Sequence, residues 1–316
     1  MSRLDESDII MIIQKALGNS RFTPKDVELF DIDGIKIAVN VDTLVQSTDM
    51  PSKMKIRDAA RKSIAACVSD FASKGIKPLY GVVSLNLPKN VSVLQVKHIA
   101  RGIKEASDEF GIKILGGDTN RGIEFVFHVC IFGKAKKTIE RGGAEPGDLV
   151  FVTGPFGYAA AGLEILMGEK RARSIFRRDA VRSFARPRPR LNFGLKSGKY
   201  FTSSMDSSDG LSATLNEMAA QSRCSFVIDG NPAGKGLDRF AKTNNISAER
   251  LIFDGGEEYE FVFTAKERHK SAIQKNALLT DTPVMEIGRV KSGNGVFLKK
   301  DELLERIRGM GWRHFK

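Results

Sequence analysis

The chain has 316 residues, 41% of them hydrophobic, and a formal net charge of +12. That length suits two domains, the apolar fraction excludes gross disorder, and no apolar run approaches the length of a membrane span. The basic balance favours anionic partners: nucleic acid, anionic lipid or phosphorylated small molecules.

The start, MSRLDESDII, carries no signal-peptide core, so a cytoplasmic chain is expected. Ile9, Ile10, Ile12, Ile13 and Leu17 space as a helix over 5–17 that stops near Gly18. VELFDIDGIKIAVNVD sets two alternating runs around Asp33-Gly34, a hairpin signature. A helix over 57–74 runs into SDFASKG, LYGVVSLNLP is a strand closed by Pro88, and 92–110 is a second helix. GIKILGG is a short strand and EFVFHVCIFGKA a long one.

The polar, glycine-rich KKTIERGGAEPGD, 137–148, breaks this pattern. It marks the expected boundary between a domain of residues 1–140 and one of residues 141–316. LVFVTGPFGYAAAGLEIL then reads as strand, glycine turn and helix. The densest basic run, RARSIFRRDAVRSFARPRPR at 171–190, matches no nucleic-acid motif. It reads as a solvated helical face with a Pro-Arg loop, or else as an attractor of phosphate. SSMDSSDGLS leads into a helix over 209–222, for which Ser207, Ser208 or Asp209 is the expected N-cap. SFVIDG and FVFTA are strands, and VMEIGRV with GVFL suggests a final hairpin. With no regular βαβ period, the order argues for α+β layers, helices on mixed sheets, in both halves.

Cys67, Cys130 and Cys224 are scattered without CxxC spacing and read as buried free thiols. The dispersed His98, His128, His269 and His314 argue against a zinc site or a histidine-activated nucleophile. No Walker A, GxGxxG or protein-kinase motif set is present.

The acidic residues form four stretches in apolar or glycine-rich surroundings: Asp42 with Asp49, Asp70, Asp118, and Asp206 with Asp209. An aspartate after a strand is ordinarily a turn or cap residue. Asp70 is harder to explain so, because it follows the apolar helical run Ile64-Ala65-Ala66-Cys67-Val68, where a charge is costly unless paired or metal-bound. Carboxylates that converge need cations, and oxygen-only donors select hard ions such as Mg²⁺. Gly116-Gly117 before Asp118 permits close backbone approach to a phosphate. The residues therefore suggest metal-assisted phosphoryl transfer.

Taken in order, VNVDTLVQSTDMP, SDFASKGIKPLYGVVSLNLP, GGDTNRG, RGGAEPGDLVFVTGPFG, RPRPRLNFG, MDSSDGLS, GGEEYEF and GWRHF resemble the thiamine-monophosphate kinase family, of the superfamily that includes aminoimidazole ribonucleotide synthetase. The resemblance spans the chain from about residue 26. It implies ATP-dependent phosphorylation of thiamine monophosphate with several Mg²⁺ ions and no side-chain nucleophile. It also implies homodimerisation through the first domain and no membrane or nucleic-acid partner. By motif position it implies Asp26, Asp42, Asp70, Asp118, Asp206 and Asp209 as metal ligands. Gly117, Asp118, Arg141 and Ser208 become nucleotide contacts, and Asp49, Glu258 and Trp312 contacts to the thiamine portion. A core anchor is the other reading of Trp312. The family usually opens Gly-Asp-Asp; here PKDVELF keeps only Asp26, with Lys25 before it. Glu258 stands where aspartate is common. A sister synthetase of the superfamily and a non-catalytic phospholigand binder remain alternatives.

Overall fold

The computed structural model describes residues 4–19, 22–135, 138–168 and 170–312; His314 and the end of the GWRHF tail lie outside them. Helix α1 (Glu6–Ala16) starts at a capping box in which Asp5 and Asp8 each accept from the other's backbone N–H, and it buries none of its residues. The first sheet is built from β1 (Glu28–Ile32), β2 (Ile35–Val45), β3 (Lys77–Pro88), β4 (Lys113–Gly122) and β5 (Val126–Lys134). Its order is β1-β2-β5-β3-β4, with only β3 and β4 parallel. As expected, Asp33 and Gly34 turn β1 into β2, at φ 50° and 78°. Between the strands lie α2 (Gln46–Asp49), α3 (Ile56–Ser73) and α4 (Val93–Phe110).

Register decides which side chains meet the helices. Asp42, Val129, Val83 and Gly117 form one row across the sheet, and Val83 and Val129 are buried. The next row, Thr43, His128, Ser84 and Asp118, faces the opposite side because side chains alternate. That outer face also carries Val41, Tyr80 and Cys130, so Cys130 is half-buried, unlike the buried Cys67 and Cys224. GIKILGG continues as strand through GGDTNRG, longer than the sequence suggests.

The second sheet comprises β6 (Leu149–Thr153), β7 (Phe201–Ser207), β8 (Ser225–Ile228), β9 (Glu260–Ala265), β10 (Val284–Lys291), β11 (Gly295–Lys300) and β12 (Leu303–Ile307), in the order β12-β11-β8-β10-β6-β9-β7. Helices α5 (Tyr158–Met167), α6 (Ser174–Ala185), α7 (Leu191–Ser197), α8 (Leu211–Ser222), α9 (Leu237–Asn244), α10 (Ala248–Phe253) and α11 (Lys270–Leu279) connect and cover it. The expected hairpin of VMEIGRV with GVFL does not form. β8 lies between β10 and β11, antiparallel to the first and parallel to the second. Buried Ser225, Phe226 and Ile228 make β8 an interior strand that needs a partner on each edge. Helix α8 is not capped by Ser207, Ser208 or Asp209: the N-cap is Gly210, at φ 110°, a conformation that suits glycine.

Sheet membership changes between Lys134 and Leu149, but the core does not stop there. Phe71, Val129 and Ile131 share one apolar cluster with Phe151, Phe193, Phe201, Phe261 and Phe263. Helix α3 sits at the centre of the molecule, with 14 of its 18 residues buried. Its cations are all paired: Arg57 with Glu105, Arg61 forked onto Glu109 (2.7 Å) and Lys62 with Glu257 (2.7 Å) beneath the Phe184 ring. On its C-terminal side α7 packs so closely that a Cβ on Gly194 would lie 1.9 Å from the Ala72 carbonyl oxygen. Gly194→Ala is accordingly expected to destabilise the fold by about 3 kcal/mol, since overpacking a close backbone contact forces displacement; a urea midpoint matching wild type would contradict this packing.

Candidate active site

Three elements deliver carboxylates to one point: the segment before β1 brings Asp26, α3 brings Asp70, and β7 brings Asp206. Their carboxylate oxygens lie within 4.8 Å of one another. Three such charges repel, and two cations answer them. Lys74, just past α3, places Nζ 2.7 Å from Asp26 Oδ2 and also donates to the Ser204 carbonyl. Arg141 brings Nη2 to 2.5 Å and Nε to 2.6 Å of Asp26 Oδ1. Burial works against the Asp26 charge, but these two partners outweigh it and hold the carboxyl below its usual range. Asp70 goes the other way: burial, then Asp206, Asp26 and Asp42, push it well above the usual range. Asp206 rises to about 7, through burial and then the charge on Asp26.

Asn40 completes this group. It lies two residues before Asp42 on β2, so both face α3. Its amide donates to Asp70, and its Oδ1 is buried with no hydrogen-bond partner. An orphaned buried oxygen beside a surplus of carboxylates is a donor set suited to a hard cation. Asp70, Asp206 and Asn40 thus fit Mg²⁺. Asp26 joins such a site only by giving up Lys74 or Arg141.

Next to this group opens a cavity of about 620 Å³ between the two halves of the chain. Asp42 and Asp49 line it from the first half, and Ser208, Asp209 and Trp312 from the second. Burial raises Asp42 to about 6, helped by Glu257, Asp49 and Asp209 against the opposing Thr43 N–H. Asp49 accepts from Val45 N at 2.6 Å; burial, then Glu257, raises its pKa. Trp312 is tied here by its backbone N–H, which donates to the Asp209 carbonyl at 2.9 Å, and the residue is 53% exposed on the wall. That exposure argues against the core-anchor reading. Both Ser-Asp pairs grip the same loop: Ser69 Oγ donates to the Tyr259 carbonyl (3.3 Å), and Glu257 N donates to the Ser208 carbonyl (2.6 Å).

Other expected residues stand elsewhere. Asp118 is exposed on the outer face of β4, where Asn120 donates to it at 2.6 Å. Gly117 serves the sheet first: a Cβ there would lie 1.7 Å from the Val83 carbonyl oxygen. Arg141 is on Asp26. Glu258 turns away from the cavity and accepts from Gly157 N (2.7 Å) and Ala159 N (3.1 Å) at the start of α5. Burial nonetheless pushes Glu258 up to about 8, against those donors. Its neighbour Glu257 takes the cavity position, paired to Lys62. Glu257 and Tyr259 both have positive φ, 73° and 51°, a costly conformation for such residues. Sequence reasoning misses Asn40, Lys62, Lys74 and Glu257. Alternation with Asp42 is the one signal for Asn40, and a lysine inside an alanine-rich helical run is the signal for Lys62.

Residues 24–135 match the family model described as AIR synthase related protein, N-terminal domain. The chain is 53% identical to the thiamine-monophosphate kinase of Nitrosopumilus maritimus strain SCM1 over 316 residues, all of both chains. It is 31% identical to that of Pyrococcus horikoshii over 319 residues, covering 100% of this chain and 98% of the other. Among solved structures it resembles "AaThiL complexed with AMPPCP and TMP", with a TM-score of 0.87 and 28% identity over 100% of this chain and 99% of that one. The thiamine monophosphate kinase of Aquifex aeolicus gives a TM-score of 0.84 at 27% identity, covering 96% and 99%.

With Asp206 near 7 and Asp42 near 6 when folded, against 3.8 for the free side chain, the folded protein holds more protons in that window. The cluster's contribution to stability therefore falls as pH rises from about 4 to about 7 in the absence of divalent cations. Mg²⁺ is expected to raise the melting temperature, more at pH 8 than at pH 6, because protons compete for the same oxygens. Asp70→Asn should melt higher than wild type without metal and lose the Mg²⁺ response. A wild-type melt at pH 8 that Mg²⁺ leaves unmoved contradicts the cation site.

Proposed function

The chain belongs to the thiamine-monophosphate kinase family, and on that premise we propose that its interdomain cleft is where the γ-phosphoryl group of ATP passes to the phosphate of thiamine monophosphate, giving thiamine diphosphate. The observation that carries the assignment to this cleft is the convergence of carboxylates from both halves on one cavity of about 620 Å³. No described side chain stands as a nucleophile; the acceptor phosphate supplies the attacking oxygen, and the protein orients both partners.

Asp70, Asp206 and Asn40 hold Mg²⁺ on this reading, with Asp42 and Asp209 extending the carboxylate lining into the cavity. The metal, when bound, would neutralise phosphate charge. Ser208 faces the nucleotide. Trp312 stacks on the cationic thiamine rings, and Asp49 lies on the same wall for the thiamine portion. Glu258 acts at one remove, fixing the start of α5. Arg141 stays on Asp26 until a metal or phosphate displaces it.

Residues 1–140 then carry dimerisation and part of the metal site, and residues 141–316 the other part. A homodimer through the first sheet is supported by its uncovered outer face, where Val41 is 68% exposed and Tyr80 46%. Gly117 and Asp118 border that face, which would bring a nucleotide contact from beside the interface. Three free cysteines suit a reducing, cytoplasmic compartment, and no helix among the described residues is long and apolar enough to cross a membrane.

Purified protein with Mg²⁺, ATP and thiamine monophosphate should form thiamine diphosphate; turnover of a purine intermediate instead would sink the assignment. Asp209→Asn is expected to lower kcat by about 100-fold or more with the melt preserved, as for loss of a transition-state electrostatic contact. Trp312→Ala should raise KM for thiamine monophosphate about 10-fold and leave kcat near wild type, the signature of lost ground-state stacking.

A further inference from the structure

A second cavity of about 1000 Å³ opens in the C-terminal half, away from the carboxylates. Its wall brings together Arg171, Arg173, Lys235 and Arg239. All four are exposed, and among the described residues none of them forms an ion pair. The one acid on the wall, Asp179, already accepts from Arg178 Nε at 2.9 Å. Four like charges around one concavity repel unless an anion sits among them.

The wall is built rather than incidental. Asn244, at the end of α9, clamps the arginine-bearing loop: its Oδ1 accepts from Arg171 N and its Nδ2 donates to the Arg171 carbonyl, both at 2.8 Å. Phe176 stacks on Phe240 (5.0 Å between centroids) and packs beside Tyr158 (5.6 Å). Tyr158 in turn donates its hydroxyl to the Lys235 carbonyl at 3.0 Å. Both α6 and α9 begin on this wall, and their N-caps, Arg173 and Gly236, offer no side-chain acceptor to the first-turn N–H groups. These positive helix ends add to the field of the four cations.

The occupant follows from charge and size. Four cations match a di- or triphosphate better than a single phosphate, and arginine forks suit phosphate oxygens. The volume leaves room for an organic portion over the half-buried Phe176 and Tyr158. A nucleic-acid strand fits less well, because Phe240 is only 3% exposed and Phe176 and Tyr158 are half-buried against each other, which leaves no row of rings for successive bases. We infer that this cavity is a second ligand site, separate from the catalytic cleft, that binds an organic di- or triphosphate of nucleotide size. Helix α5 touches both sites: Tyr158 lines this one, while Ala160, Leu163 and Glu164 line the first.

Equilibrium dialysis with labelled ADP, and in a separate arm labelled thiamine diphosphate, compares wild type with Arg173→Ala/Arg239→Ala. The expected result in at least one arm is two ligands per wild-type chain. In the double variant one of the two should be weakened about 10-fold or more, with kcat/KM for ATP unchanged; the responding arm identifies the ligand. One ligand per chain in both arms overturns the inference, as does a second site that the double variant retains at full strength. Salt-steep binding of a single-stranded 20-mer, with neither small ligand bound there, also overturns it and makes the patch a nucleic-acid surface.

Discussion

Asp70 and Asp206 come from opposite halves of the chain and lie beside Asp26, Asp26 and Asp206 buried and Asp70 half-buried, an arrangement that folding alone does not favour. Loss of hydration, and then the charge on Asp26 for Asp206 and the charges on Asp206 and Asp26 for Asp70, raises both pKa values. Much of the surrounding structure manages that cost. Lys74 and Arg141 converge on Asp26, and Asn40 donates to Asp70. A fold that keeps three carboxylates together with two cations among the described residues holds a surplus of acid groups, and that surplus is what a bound cation would relieve.

The same constraint explains why α3 is central. On a helix buried on nearly every side an unpaired cation is costly, so Arg61 and Lys62 each reach a glutamate on another element. Lys62 fixes Glu257, and Glu257 and Tyr259 accept positive φ to hold the loop that both Ser-Asp pairs grip. One helix thereby sets the cation group, the floor of the cavity and the position of the loop opposite. The apolar cluster that runs from Phe71 to Phe263 keeps the two sheets in register around it.

Elements with strong periodicity are legible in the sequence. Helices expected over 57–74 and 92–110 occupy Ile56–Ser73 and Val93–Phe110, and the Asp33-Gly34 hairpin forms as read. Asp70 is legible because an apolar helical run rarely carries a charge without a reason. Convergence is not legible, since Asp26, Asp70 and Asp206 meet only through tertiary packing. Asp118 shows the limit: it sits one residue beyond the Asp42 row, and a single step along a strand moves its side chain to the opposite face. Glu257 and Glu258 are adjacent residues of the same type, and the sequence does not tell which one faces the cavity. The β8 insertion escapes a local reading because its partners, from Gly288 paired with Ile228 to Gly295 paired with Ser225, are distant in sequence.

Crystals grown with Mn²⁺ in place of Mg²⁺, a non-hydrolysable ATP analogue and thiamine monophosphate offer the most direct view of that surplus. Anomalous scattering then locates the metal without assumption. The account predicts manganese peaks between Asp70 and Asp206, with Asn40 Oδ1 within bonding reach and the two phosphates bridged at the mouth of the cavity. Peaks confined to other residues, with Asp26, Asp70 and Asp206 still held only by Lys74, Arg141 and shared protons, would contradict it.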